Sequence, residues 1–500
     1  MAAGNRRWKR SRWPNGSRAL SEGGQGMAEK GTFFDFIEVI RRAESGEPIK
    51  EAEYDRKMGR LALDVVKRYE IRYTPEQVIP EDDGLADRVF EGAVSLFLDL
   101  GVYCTDTQRT IRFTREELDW ALSHAPKEVL YGREEETVTL FPRKVEDRRP
   151  PVCLFSAVGA PVSEESFVPI ARSYVQEPLA DTYSGPLITS YKGLAVTSGS
   201  PVEVEAAIWN TRMLREAAVQ AGRPNIGIHN FQSTGERTDA TIASAQESFG
   251  AYPGDGLLVA AIAEMKVDFE RLKKVAFLRH SPYVQGGLYG PLMGGYAGGP
   301  EGTAICLLAH HFLGLLVYSA QRHNAFPIHI HHVCNTTREM LWLVSVVGQA
   351  LARNTDLISA ANAFMAAGPC TEMVVDELCA HAIAATVSGW HLNPAAVAKN
   401  RHPFRCSGME CRIHAEVGHR TALSGLTRKE ANRIVLRLVS SYEKQMADAP
   451  IGKTFAECYD VERVKPTDEY ESLYEKKKRE WQSLGFDASL PIQKKERGGG

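Results

Sequence analysis

The sequence has no long apolar run, almost no net charge and no nucleotide-binding glycine motif. Crossing a bilayer as a helix takes about 20 consecutive apolar residues. The longest stretch here, residues 304–320, is broken by His310 and His311. A formal net charge of −3 gives no electrostatic footprint for nucleic acid or for an anionic membrane. No GxGxxG stands between a strand-like and a helix-like segment, and there is no GxxxxGK[ST] loop. The nine cysteines are scattered and never fall into paired CxxC spacing. They read as reduced thiols of a cytoplasmic protein rather than as a disulfide or zinc framework.

The ends are unlike the middle. Residues 1–26 set Arg6, Arg7, Lys9, Arg10, Arg12 and Arg18 against Glu22 alone, and have no apolar core. They read as a disordered basic tail or as a mis-assigned start ahead of Met27. Residues 486–500 read as a frayed tail. Residues 27–175 form an N-terminal helical and irregular region, and 176–485 form the main body with C-terminal helices.

The main body alternates strand and helix. Phe33, Phe36, Ile37 and Ile40 fall at helical spacing near the start, and 102–165 holds short β-like pieces such as 137–141. Strands are predicted at 181–189, 225–229, 274–278, 327–333 and 356–360. Helices are predicted after a Ser200–Glu203 capping box with Pro201 at its first position, at 257–264, after a second box at Thr336–Glu339, and from Thr371. Such alternation indicates parallel βαβ units. The fold class is α/β: a TIM (β/α)8 barrel with an N-terminal helical elaboration, an open doubly wound sheet being the alternative. Barrel chemistry sits where strands end, which singles out 184–185, 229–230, 331–335 and 362–372.

Four constellations stand out. Gly294, Gly295, Gly298 and Gly299 flank Tyr296 ahead of a helix, with Glu301 in its first turn. Glycine lets backbone approach a bulky ligand closely, and a long mobile loop costs entropy on folding. Glu301 is a candidate catalytic acid or simply a complement to the helix dipole. His329 and His331 share one face of a strand, as in some zinc hydrolases, but two imidazoles are too few for a zinc site and no metal is expected. Cys406 and Cys411, near His414, form a lone Cx4C read as buried thiols. Cys370 and Glu372 lie at a strand-to-helix turn, where the helix N-terminus would lower the Cys370 pKa; no activating base is evident.

The runs YCTDTQR (103–109), PVSEE (161–165), GGYAGG (294–299), AGPCTEM (367–373), GME (408–410), SYEK (441–444), APIGKTFAECYD (449–460) and PTDEY (466–470) resemble monomethylamine:corrinoid methyltransferase. The resemblance spans roughly 30–485. It implies a barrel, usually in a homo-oligomer, that moves a methyl group from a small methylated amine to the Co(I) corrinoid (cobalamin) of a cognate corrinoid protein. No cofactor would be bound by the chain itself. In that family a pyrrolysine at the barrel mouth holds the amine as an adduct.

Counting from flanking motifs puts the pyrrolysine position at Glu247 or Ala245, and no lysine-like residue occurs in 239–255. A carboxylate forms no imine, but it pairs with an ammonium. The expectation is a pyrrolysine-free methyltransferase acting on another N-methyl or quaternary amine. Glu247 and Glu301 would be catalytic; Tyr296, His331, Asn335, Cys370 and Glu372 would bind substrate; the four glycines would face the corrinoid. The alternatives are a non-catalytic barrel that binds a corrinoid protein or ligand, and a zinc-dependent barrel hydrolase.

Overall fold

Eight short parallel strands form the centre: β1 (Leu154–Phe155), β2 (Thr182–Ser184), β3 (Gly227–Asn230), β4 (Gly256–Ala260), β5 (Val284–Tyr289), β6 (Arg322–Ala325), β7 (Ser359–Phe364) and β8 (His391–Ala396). The computed structural model describes residues 32–157 and 159–492, less the side chains of 394 and 395. The tail expected at 1–26 and the last residues of the chain lie outside it. Strands β1 to β3 pair in parallel, as do β4 to β8. Two seams join these runs. A parallel bridge links Cys153 to Leu392, with the Leu392 amide on the Val152 carbonyl at 3.1 Å. The Phe231 amide donates to the Gly256 carbonyl at 3.1 Å. The sheet therefore closes on itself.

Ahead of the barrel stand α1 (Phe36–Ser45), α2 (Glu51–Arg68), α3 (Asp83–Leu100) and α4 (Arg115–His124). The barrel helices are α5 (Glu164–Val175), α6 (Pro201–Gln220), α7 (Thr238–Ser244), α8 (Phe269–Arg279), α9 (Pro300–Leu316), α10 (Arg338–Asn354), α11 (Glu372–Val387) and α12 (Gly408–Ser424). Then follow α13 (Arg428–Tyr442) and α14 (Asp468–Leu484). The apolar run over His310 and His311 is α9, buried all round between α3 and α10. Its two imidazoles bond back to the Cys306 and Leu307 carbonyls. Among the described residues no helix is long and apolar enough to cross a membrane.

Several boundaries differ from the sequence reading. The barrel opens at Leu154, not at 176, because β1 is only two residues long. Residues 257–264 are not a helix: β4 occupies 256–260. Residues 274–278 are not a strand: they lie inside α8, whose N-cap Asp268 accepts the Arg271 amide at 2.8 Å. Short apolar runs have no period to read. Strand β6 falls at 322–325, ahead of 327–333, because Arg-His-Asn-Ala looks like a loop. The tail is ordered further than 486 suggested, since Phe486 and Ala488 are buried. Of the two capping boxes, Ser200 does accept the Glu203 amide. Glu203, however, bonds the amides of Gly199, Glu236 and Arg237, stapling the loop after β3 to α6. The cap of α10 is Thr337, while the Thr336 hydroxyl donates to Glu377.

One glycine on α9 is dictated by packing. A Cβ at Gly314 would stand 1.5 Å from Oη of Tyr289, whose ring fills the gap between β5 and α9. Gly314→Ala is expected to destabilise the fold by about 1–3 kcal/mol through overpacking, read as a lower urea midpoint. An unchanged midpoint would refute that packing.

Candidate functional site

Strand alternation sorts side chains into those facing the helices and those facing the lumen. Leu257 and Val259 join the main core, so Leu258 and Ala260 point inward. Cross-strand register then places Leu258, Gly286 and Arg322 in one layer, and Ala260, Leu288 and Asn324 in the next. A hairpin, Val129–Tyr131 with Val138–Leu140, plugs the N-terminal end with Leu154, Val284 and Ile358. Above the plug the lumen is polar. The hydroxyls of Ser156 and Ser184 bond at 2.7 Å, and Thr182 Oγ1 bonds His229 Nδ1 at 2.9 Å. Burial, with the charge of Arg322, holds the His229 pKa well below the usual imidazole range, so it is neutral. The crest is aromatic: Phe326 and Phe364 continue the inward register and stack at 5.7 Å, beside Ile328, Val333 and Ala396. Leu258 and Leu288 face inward yet are only half-buried. Leu258 and Leu288 are thus reached from the lumen, while Arg322, Asn324 and Asn362 around them stay covered.

Arg322 crosses this space from β6. Its Nε donates to Tyr131 Oη, one Nη to Asn324 Oδ1 and the other to the His229 carbonyl at 3.1 Å. It is 1% exposed.

The glycine-rich loop stands at the mouth. Gly294 and Gly298 have φ of +93° and +79°, which side chains rarely adopt. Behind the loop lies Glu264, on the segment leaving β4. Its Oε2 accepts the Ala297 amide at 3.1 Å, and a Cβ at Gly295 would stand 2.7 Å from its Oε1. Glu264 is 3% exposed, and burial pushes its carboxyl up to about 7 against the pull of the loop amides. Beside it Lys266 pairs with Asp55 at 2.7 Å and Glu51 at 2.8 Å, both on α2, with its Nζ 5.8 Å from the Tyr296 ring centre. Of these residues, His229 lies in the strand end 229–230 singled out in the sequence, while Glu264, Arg322 and Lys266 are not among the expected site residues.

The expected site residues do not all converge. Tyr296 is 56% exposed at the mouth, with Leu292 and Ile330 exposed near it. Glu301, in the first turn of α9, turns its Oε1 to the Tyr73 amide at 3.0 Å. Glu247 is exposed on a short 3-10 turn, and Ala245 caps α7. That segment packs on α6, where Arg215 donates to the Gly250 carbonyl and Arg212 covers the Phe249 ring. It leads to the N-terminal end of β4, so neither Ala245 nor Glu247 reaches the mouth. Asn335 is a buried clamp, bonding the Asn362 carbonyl and the Phe364 amide at 2.7 Å each. His331 is exposed and gives its amide to His329 Nδ1 at 3.1 Å. Glu372 pairs with Lys476 at the surface. Burial pushes the Cys370 thiol up to about 11, opposite to the lowering its helix position suggested. Among the described residues no group of three or more His, Cys, Asp or Glu could hold a metal.

The family described as monomethylamine methyltransferase MtmB matches residues 34–486. The monomethylamine methyltransferase MtmB of Methanosarcina mazei is 34% identical over 455 residues, 91% of this chain and 98% of its own. MtmB1 of Methanosarcina barkeri is 34% identical over 461 residues with the same coverage. The crystal structure of the Methanosarcina barkeri enzyme is similar with a TM-score of 0.88 at 33% identity, over 91% of this chain and 99% of that one. A hydroxylamine complex of MtmB gives a TM-score of 0.87.

The Glu264 carboxyl carries a pH signature. An unfolded glutamate titrates near 4.5, and this one at about 7 in the fold. As pH rises between those values the unfolded chain gives up its proton first, so stability falls, by about 3 kcal/mol in all. Glu264→Gln lacks this titration. The stability of wild type relative to the variant, from urea titrations, is expected to decline as pH climbs through that window. An increase would show a carboxylate held charged.

Proposed function

Because the chain belongs to the monomethylamine methyltransferase MtmB family, we propose that it passes a methyl group from a methylated amine to the Co(I) corrinoid of a partner protein. The observation that carries this reading is the lumen, open at the C-terminal mouth under a glycine-rich loop and free of lysine at its inward positions 156, 182, 184, 229, 258, 288, 322, 324 and 362. An adduct-forming amine receptor has no side chain to be built from there. The nitrogen must therefore leave unaided, which a quaternary ammonium does because its departing amine is already neutral. The substrate is then an N-methyl compound other than monomethylamine.

The corrinoid, when docked, supplies the electron pair that takes the methyl carbon while the C–N pair stays on nitrogen. The chain's own part is to hold that bond in line and to exclude water. Phe326 and Phe364 present ring faces to a cationic nitrogen at the crest. Gly294, Gly295, Gly298 and Gly299 keep the rim low, and exposed Leu292, Tyr296 and Ile330 make it apolar. Such a rim suits a flat macrocycle carried by another protein. Glu264 fixes the loop through the Ala297 amide and takes the place expected of Glu247 and Glu301.

Methyl transfer to free cob(I)alamin, followed by the loss of its absorbance, tests this with a donor panel. Quaternary N-methyl donors are expected to turn over and monomethylamine is not. Turnover of monomethylamine, or of no N-methyl donor, would refute the reading.

A further inference from the structure

The lumen contains a full positive charge that, among the described residues, has no partner of opposite sign. Arg322 is buried, and its three hydrogen bonds go to a phenol, an amide oxygen and a peptide carbonyl, all neutral. Among the described residues no carboxylate pairs with it, whereas the buried Arg215 and Arg223 have Asp255 and Glu136. Buried charges are ordinarily paired, because desolvation otherwise goes unrepaid. Three bonds also leave two of the five guanidinium N–H groups unassigned. Leu258, in the same layer, is half-buried, so the lumen reaches the level of the guanidinium, and the place a Cβ at Gly286 would take is filled by Leu258 and the guanidinium itself.

We infer that Arg322 is a substrate-binding residue that receives the carboxylate of a zwitterionic N-methyl donor, a betaine-type amino acid. The polarity of the lumen fixes the orientation. The guanidinium at the floor repels an ammonium and attracts a carboxylate, whose bidentate geometry it matches. Four residues up β6, about 13 Å along the strand, Phe326 and its stacking partner Phe364 offer aromatic rings to the quaternary nitrogen. The methyl groups then point to the mouth, where the acceptor arrives. Glycine betaine would lose one methyl carbon to the Co(I) electron pair, the C–N pair remaining on nitrogen. The product is N,N-dimethylglycine, and no proton moves. Only this last step rests on the methyl-transfer reading; carboxylate recognition by Arg322 stands without it.

Calorimetry with glycine betaine and tetramethylammonium as ligands of the full-length protein separates the two claims. Glycine betaine is expected to bind at least about tenfold tighter, since a charge-assisted bond to a buried group is worth that much or more. Arg322→Met should weaken glycine betaine by about 10- to 100-fold and leave tetramethylammonium unweakened, while Arg322→Lys, which keeps the charge without the planar fork, should fall between. The wild-type comparison needs no variant, so it decides the matter even if Arg322→Met does not fold. Equal binding of the two ligands, or tighter tetramethylammonium, overturns the role of Arg322 and leaves methyl transfer untouched. Arg322-dependent betaine binding without methyl transfer to cob(I)alamin supports Arg322 and sinks the methyl-transfer reading.

Discussion

The lumen is organised by one buried guanidinium. Arg322 ties β6 to the end of β3 through the His229 carbonyl and to the N-terminal plug through Tyr131. It also keeps His229 neutral, since its charge reinforces burial in disfavouring an imidazolium. A hydrophobic residue of similar size would fill the space without such a desolvation penalty. The charge is therefore poorly explained by stability alone. Floor, walls and crest then form a graded sequence, from cation through amide and hydroxyl groups to aromatic rings.

The N-terminal helices do more than elaborate the barrel. Glu51, Asp55 and Gly59 fall four residues apart and so share one face of α2. The two acids hold Lys266, and a Cβ at Gly59 would stand 3.3 Å from the Tyr296 carbonyl. Tyr73, just beyond α2, gives its amide to Glu301. The glycine-rich loop is thus gripped from behind by Glu264 and from the side by α2. Its glycines are free of side chains at the mouth, yet its backbone is held. This reconciles a loop of low local preference with a defined rim.

Much of the architecture was legible in the sequence. The βα rhythm, the cap at Ser200, the helix from Thr371 and the loop 294–299 all appear where the pattern put them. The failures have two physical sources. Strands of two to four residues carry too little periodicity, so β1 was missed and β4 and α8 exchanged identities. The lumen strands of this barrel are polar, so Arg-His-Asn-Ala at 322–325 looks like a loop. That same polarity hid the site. Sequence spacing pointed to Glu247 and Ala245, but their segment packs on α6 and leads to the N-terminal end of β4, whereas the crest of β3 is His229 and Asn230. Cys370 misled because burial outweighs the helix terminus at a thiol.

Recognition of the donor by Arg322 depends on where the donor's charges sit in the lumen. A crystal structure of the protein with glycine betaine measures this directly. The account requires the carboxylate in hydrogen-bond contact with the Arg322 guanidinium and the trimethylated nitrogen against Phe326 and Phe364. A betaine bound outside the lumen, or inverted with its ammonium at the floor, would contradict it.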